Sequence, residues 1–177
     1  MADSLPQKLE QYVLKSTVAL AVSSAEGDVP LGVVNDAFCK LTGYDRADVE
    51  GRNCRLLQGP ETEDDTRGAL HDFVHDPDRN DGRFAILNYR KDGSKFHNLV
   101  FMTRLRGRDG RARFILASQF DMTHAAQRRE LQTNDEILTR ELADMRMMGQ
   151  QFGLAMQDSA AAISNSIATL ARLNLDE

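Results

Sequence analysis

The spacing of apolar positions changes four times along the chain, and each change marks a switch between helix and strand. Leu5, Leu9, Tyr12 and Val13 form one helical stripe inside DSLPQKLEQYVLKS, where Ser4 and Gln7 stand at capping-box spacing, so a short N-terminal helix is expected. The runs VALAVSS and PLGVVND flank the turn-forming AEGD and predict a first hairpin. DAFCKLTGYDRADVEGRN then reads as short helical pieces broken at Gly43 and Gly51. TEDDTRGALHDFV predicts a helix capped by Thr62 and Asp65, and HDPDRNDG a polar loop.

From residue 83 the period becomes two. RFAILNYR, SKFHNLVFMTRLR and ARFILASQFD predict three strands, joined through KDG and GRDG, both strong hairpin signals. Successive hairpins favour an antiparallel sheet, so the whole reads as an α+β domain built on five strands. Beyond Thr123 the helical period returns. Leu131, Leu138, Met145 and Phe152 recur every seven residues, and Leu142, Met156, Ile163 and Leu170 belong to a second series interrupted at Gly149. Two helices broken near 149–153 are expected, and their stripe has to cover the sheet or the same tail of a second subunit, which favours a homodimer through the flanking helices. The divisions that follow are a flanking helix over 1–17, a compact domain over 18–123 and a helical extension over 124–177.

Composition narrows the function. A formal charge of −5 and a pI near 5.4 give no electrostatic footprint for nucleic acid or an anionic membrane. Cys39 and Cys54 offer no disulfide framework, and no stretch has the length of a bilayer span or the pattern of a secretory leader, so a cytoplasmic protein is expected. His97 has no second ligand near it, and no metal site is expected.

Strand parity sorts the faces: Phe84, Ile86 and Asn88 share one side of their strand, Phe96, Asn98, Val100 and Met102 one side of the next, and Ile115, Ala117 and Gln119 one side of the last. Each face is mostly apolar and carries one carboxamide. A single buried amide is ordinarily a satisfied core residue. Three on comparable faces suggest a pocket for a planar heteroaromatic ligand rich in donors and acceptors. GRNCRLLQG sets Cys54 among hydrogen-bonding groups, unlike a cysteine buried for packing.

NDAFCKLTGY, GRNCRLLQG, NYRKDGSKFHNL and QFDMT, in this order, resemble the flavin-binding light-oxygen-voltage (LOV) domains of the PAS superfamily, from about Val18 to Thr123. The resemblance implies a PAS-like five-stranded antiparallel sheet whose short helices enclose a cofactor pocket. It also implies a non-enzymatic blue-light receptor of the short bacterial type, without a fused effector. Such a receptor binds flavin mononucleotide (FMN), and light joins its cysteine reversibly to ring carbon C4a. Carried over, Cys54 matches the adduct-forming cysteine and Asn53 a neighbouring ligand-holding asparagine. Arg55 matches a phosphate-pairing arginine, Gln58 a glutamine near the ring and ribityl chain, and Arg67 a second phosphate arginine. Asn88 and Asn98 match the pair on the pyrimidine edge, with Val100 and Ile115 lining the same pocket. Gln119 matches the switching glutamine near N5 and O4.

The residue types suit that chemistry. A cysteine sulfur is nucleophilic yet able to leave again, asparagine donates and accepts at once, and the arginine fork fits a phosphate. The chain departs from the family pattern in having His97 before the second pocket asparagine and Ala117 two residues before Gln119. Alternatives are a flavin-based redox sensor, a PAS dimerisation module without photochemistry, a flavin oxidoreductase and a DNA-binding regulator.

Overall fold

The computed structural model describes residues 5–127 and 160–172. Helix α1 (Gln7–Lys15) leads into strands β1 (Ala19–Ser24) and β2 (Leu31–Val34). Helices α2 (Asp36–Thr42) and α3 (Arg46–Val49), a single 3-10 turn (Cys54–Leu57) and α4 (Asp64–His75) follow before β3 (Asp81–Tyr89), β4 (Lys95–Arg106) and β5 (Ala112–Asp121). A C-terminal helix spans 160–172. The strands form one antiparallel sheet in the order β2-β1-β5-β4-β3. Sequence pattern and structure therefore agree on all five strands and on the α+β architecture.

The two-residue period divides the sheet into two apolar faces. On one face Ala19 and Ala21 pack with Leu31, Val34, Phe38, Val49 and Leu57, beneath α2, α3 and the 3-10 turn. Farther along that face Ile115 packs with Val29 and Phe73 of α4. On the other face Leu20, Val22, Leu105, Phe114 and Leu116 pack with Leu9 and Val13 of α1 and with Ile167 and Ala171 of the C-terminal helix. Sinking such side chains contributes about 1.5–3 kcal/mol each.

Asn35 joins these layers. Fully buried, it caps α2 by accepting from Phe38 N at 2.9 Å and Leu20 N at 3.0 Å. Its amide donates to the carbonyls of Val13, Ser16 and Val18, fixing the exit of α1 against β1. The β3–β4 and β4–β5 turns close through Gly93 and Gly110, whose φ of 85° and 76° are left-handed, as the KDG and GRDG signals require.

Three local expectations fare differently. Ser4 lies outside the described residues, and Pro6 occupies the N-cap position of α1 without a side-chain bond. Thr62 does not cap α4: Glu63 holds that position, because the threonine hydroxyl is engaged by β3. The proposed break at 149–153 and the seven-residue series before 160 lie outside the described residues. Within 160–172 the helix meets the sheet through Ser164, Ile167 and Ala171, Ala160 and Ala168 are also buried, and Ile163 and Leu170 are each 44% exposed. Small residues allow close approach to the sheet, and Ser118 and Ser164 share a buried hydroxyl hydrogen bond of 2.6 Å.

Candidate functional site

The register brings the three pocket amides together. Val100 stands opposite both Phe84 and Gln119, Asn98 opposite Ile86 and Asp121, and Asn88 opposite Phe96. All three amides are buried. Asn98 Nδ2 donates to Asn88 Oδ1 at 3.0 Å and to Gln119 Oε1 at 2.9 Å, so one side chain bridges its two neighbours. Buried amides normally use their whole bonding capacity, since a stranded polar atom costs about 1–3 kcal/mol. Here Asn98 Oδ1 and Gln119 Nε2 are buried without a hydrogen-bond partner in the protein. One acceptor and one donor are thus left unused, and the buried apolar Val100, opposite Gln119, and Ile115, four residues before it, share their face of the sheet.

Cys54 opens the 3-10 turn. Asn53 caps that turn by accepting from Arg55 N at 2.9 Å, and its amide donates to the Asp28 carbonyl. Leu57 is driven into the apolar cluster and Cys54 packs at its edge. That cluster contains Ala19 and Ala21, which stand opposite Gln119 and Ala117. The cysteine and the amide triad therefore belong to the same side of the sheet. Burial pushes the Cys54 thiol up to about 12, which keeps it protonated at neutral pH. Cys39 is half-buried against the same cluster, as a packing residue would be.

The arginines part company. Arg55 pairs with Asp28 at 2.7 Å and its side chain is 63% exposed. Arg67 donates instead to the carbonyl of Gly59, and its Nε is buried without a partner. Gln58 is the C-cap of the 3-10 turn, with its backbone N–H donating to Arg55 O at 2.9 Å. His97 is exposed on the opposite face, as strand parity requires.

The residues therefore fit a flat ligand with alternating donors and acceptors along one edge. The unused pair on Asn98 and Gln119 meets such an edge, apolar positions flank it, and a thiol lies on the same side. Among the described residues no group of three His, Cys, Asp or Glu could hold a metal ion. Sequence reasoning missed Tyr89, Asp28 and Arg90. Arg90 links the carbonyl of Leu41 at 2.8 Å to Asp121 at 2.6 Å, two residues past Gln119. The one available signal was an arginine directly after a pocket strand, which says nothing of its partners.

Comparison with known proteins agrees with this fold. The profile of the family described as PAS domain matches residues 19–124. The chain is 36% identical over 128 residues to blue-light-activated histidine kinase 1 of Erythrobacter litoralis (strain HTCC2594), covering 70% of this chain and 34% of that protein. It is 34% identical over 139 residues to the blue-light-activated histidine kinase of Rhizobium johnstonii (strain DSM 114642 / LMG 32736 / 3841), covering 78% and 39%. The chain thus spans less than half the length of either relative. The solved LOV domain from the Erythrobacter litoralis EL346 blue-light activated histidine kinase superposes with a TM-score of 0.58 at 34% identity, over 62% of this chain and 99% of that one.

Proposed function

This chain belongs to the PAS domain family and is closely related to bacterial blue-light histidine-kinase photosensors, a premise from which we propose that it is a blue-light photoreceptor using FMN. PAS and LOV domains of this kind are non-catalytic signalling modules. The observation that carries the proposal is the buried triad of Asn88, Asn98 and Gln119, with one acceptor and one donor left unused on the side of the sheet that holds Cys54. When bound, the flavin supplies light absorption and a ring carbon, C4a, able to take up a thiol reversibly.

The chain's residues divide the remaining work. Asn88 and Asn98 hold the pyrimidine edge, Val100 and Ile115 exclude water from the ring, and Arg55 meets the phosphate from the solvent side. Asn53 and Gln58 fix the two ends of the turn that carries Cys54, and Arg67 holds the loop behind it. Cys54 would wait beside the ring as a neutral thiol, since burial pushes it up to about 12. Gln119 can turn its amide when a neighbouring acceptor becomes a donor, with no change of charge. Its neighbour Ser118 faces the other way and touches Ser164, so a change at Gln119 is one residue from the docked C-terminal helix. The output on this reading is a change in flanking-helix packing or in homodimer association.

The test is direct. The purified chain should be yellow and bleach reversibly under blue light, and Cys54→Ala should keep the flavin and lose the bleaching. A colourless protein after reconstitution with FMN, or normal bleaching in Cys54→Ala, would refute the assignment.

A further inference from the structure

The 3-10 turn bearing Cys54 has too few internal hydrogen bonds to fix its own position. Its N-terminal end is tied to the β1–β2 hairpin through Asp28 and through the backbone bonds of Leu31 with Gly51 and Arg52. Its C-terminal end runs into Gln58, Gly59 and Pro60. There the structure builds a brace. The ring of Tyr89 lies so close to Gly59 that a Cβ at that position would overlap it. The Tyr89 hydroxyl accepts from Glu61 N at 3.1 Å. Thr62 Oγ1 donates to Leu87 O at 2.7 Å and accepts from Gly59 N at 3.0 Å.

Strand β3 is an edge strand, and Thr62 fills the acceptor that its Leu87 carbonyl turns outward. Covering an edge would require no more than that. The additional Tyr89 contacts all fall on the segment immediately following Gln58. Tyr89 also follows Asn88 directly, so the same strand end carries a pocket amide and the brace that bears on the cysteine's turn. Bond formation tolerates misplacement poorly, with about 1 Å costing as much as about a hundredfold in rate.

We infer that Tyr89 and Thr62 are positioning residues for Cys54, setting the height of its turn over the amide triad by bracing residues 58–62 to the edge of β3. The inference rests on the reading of Cys54 as the photochemical nucleophile, yet the brace is measurable without light.

The experiment uses the whole chain with Cys39→Ser, so that Cys54 is the sole thiol. Dark labelling by a small aromatic disulfide reports how often the turn lifts, and dark recovery after a blue flash reports how well sulfur is held near the ring. Tyr89→Phe keeps the ring and removes one hydrogen bond, whose net worth of about 1 kcal/mol corresponds to about fivefold in the opening equilibrium. Labelling about fivefold faster is expected, and faster again in Thr62→Val, which removes two. Recovery should change by a similar factor with the dark absorption maximum unmoved. Glu61→Gln, which breaks only the exposed pair with Lys95, should stay within about twofold. Equal labelling and recovery in parent, Tyr89→Phe and Thr62→Val would overturn the inference, even if thermal stability fell, because the groups would then merely cover the edge. A parent chain that binds no flavin would refute the photoreceptor reading, while the labelling ratios would still decide the brace.

Discussion

Replacing Asn98 by leucine removes the one donor that serves both other amides. The side chain is nearly isosteric, so the effect is polar. Asn88 Oδ1 and Gln119 Oε1 each lose a buried bond, of 3.0 and 2.9 Å, and each stranded acceptor costs about 1–3 kcal/mol. The substitution also deletes the already stranded Asn98 Oδ1, which offsets one of these costs, so Asn98→Leu should destabilise the flavin-free protein by about 1–3 kcal/mol net, a sizeable part of the stability of a domain this size. The triple variant Asn88→Leu, Asn98→Leu, Gln119→Leu strands nothing. Relative to the single variant it also removes Gln119 Nε2, which already lacks a partner. It should regain most of the loss and unfold at a higher urea concentration than the single variant, while neither chain binds flavin. Urea unfolding of the three apoproteins, followed by circular dichroism at fixed pH, checks this. The reasoning fails if Asn98→Leu unfolds at the parental midpoint, or if the triple variant is less stable than the single one.

Two further outcomes follow from the same geometry. Because burial raises the Cys54 thiol from 9.0 to about 12, the unfolded chain ionises first as pH rises. The stability contribution is intact below pH 9 and is lost progressively toward pH 12, so in a Cys39→Ser background Cys54→Ala should weaken the alkaline loss measured by unfolding at stepped pH, and an unchanged slope would contradict it. Arg55→Ala should weaken FMN by about tenfold or more and leave riboflavin almost untouched, whereas Arg67→Ala, which frees the Gly59 carbonyl, should weaken both alike by fluorescence titration of the apoprotein.

How much of this was legible beforehand depended on whether the signal was local. The five strands announce themselves through two-residue alternation between glycine turns, and strand parity put Asn88, Asn98 and Gln119 on comparable faces of their strands, while the register that joins those faces came from the fold. The cap of α4 was misread because Thr62 has the right chemistry for a cap, and only the fold reveals that β3 competes for its hydroxyl. Tyr89 escaped notice because its partner Gly59 is thirty residues earlier, and nothing in either neighbourhood encodes their meeting. In the C-terminal helix the seven-residue series picked out Ile163 and Leu170, yet the face on the sheet is that of Ile167, Ala171 and Ser164, which the series did not include.

Asn35 gives the fold one more consequence, for anyone wishing to carry this sensor into another protein. The family profile begins at residue 19, but all three carbonyls gripped by the Asn35 amide belong to residues before that point, as do Leu9 and Val13 on the far face of the sheet. A portable version trimmed to the profile would keep Cys54 and the amide triad, but it would leave the buried Asn35 amide without its three acceptors and uncover the far face of the sheet. The transplantable unit starts no later than Gln7, and its front helix is part of the sensor's chassis.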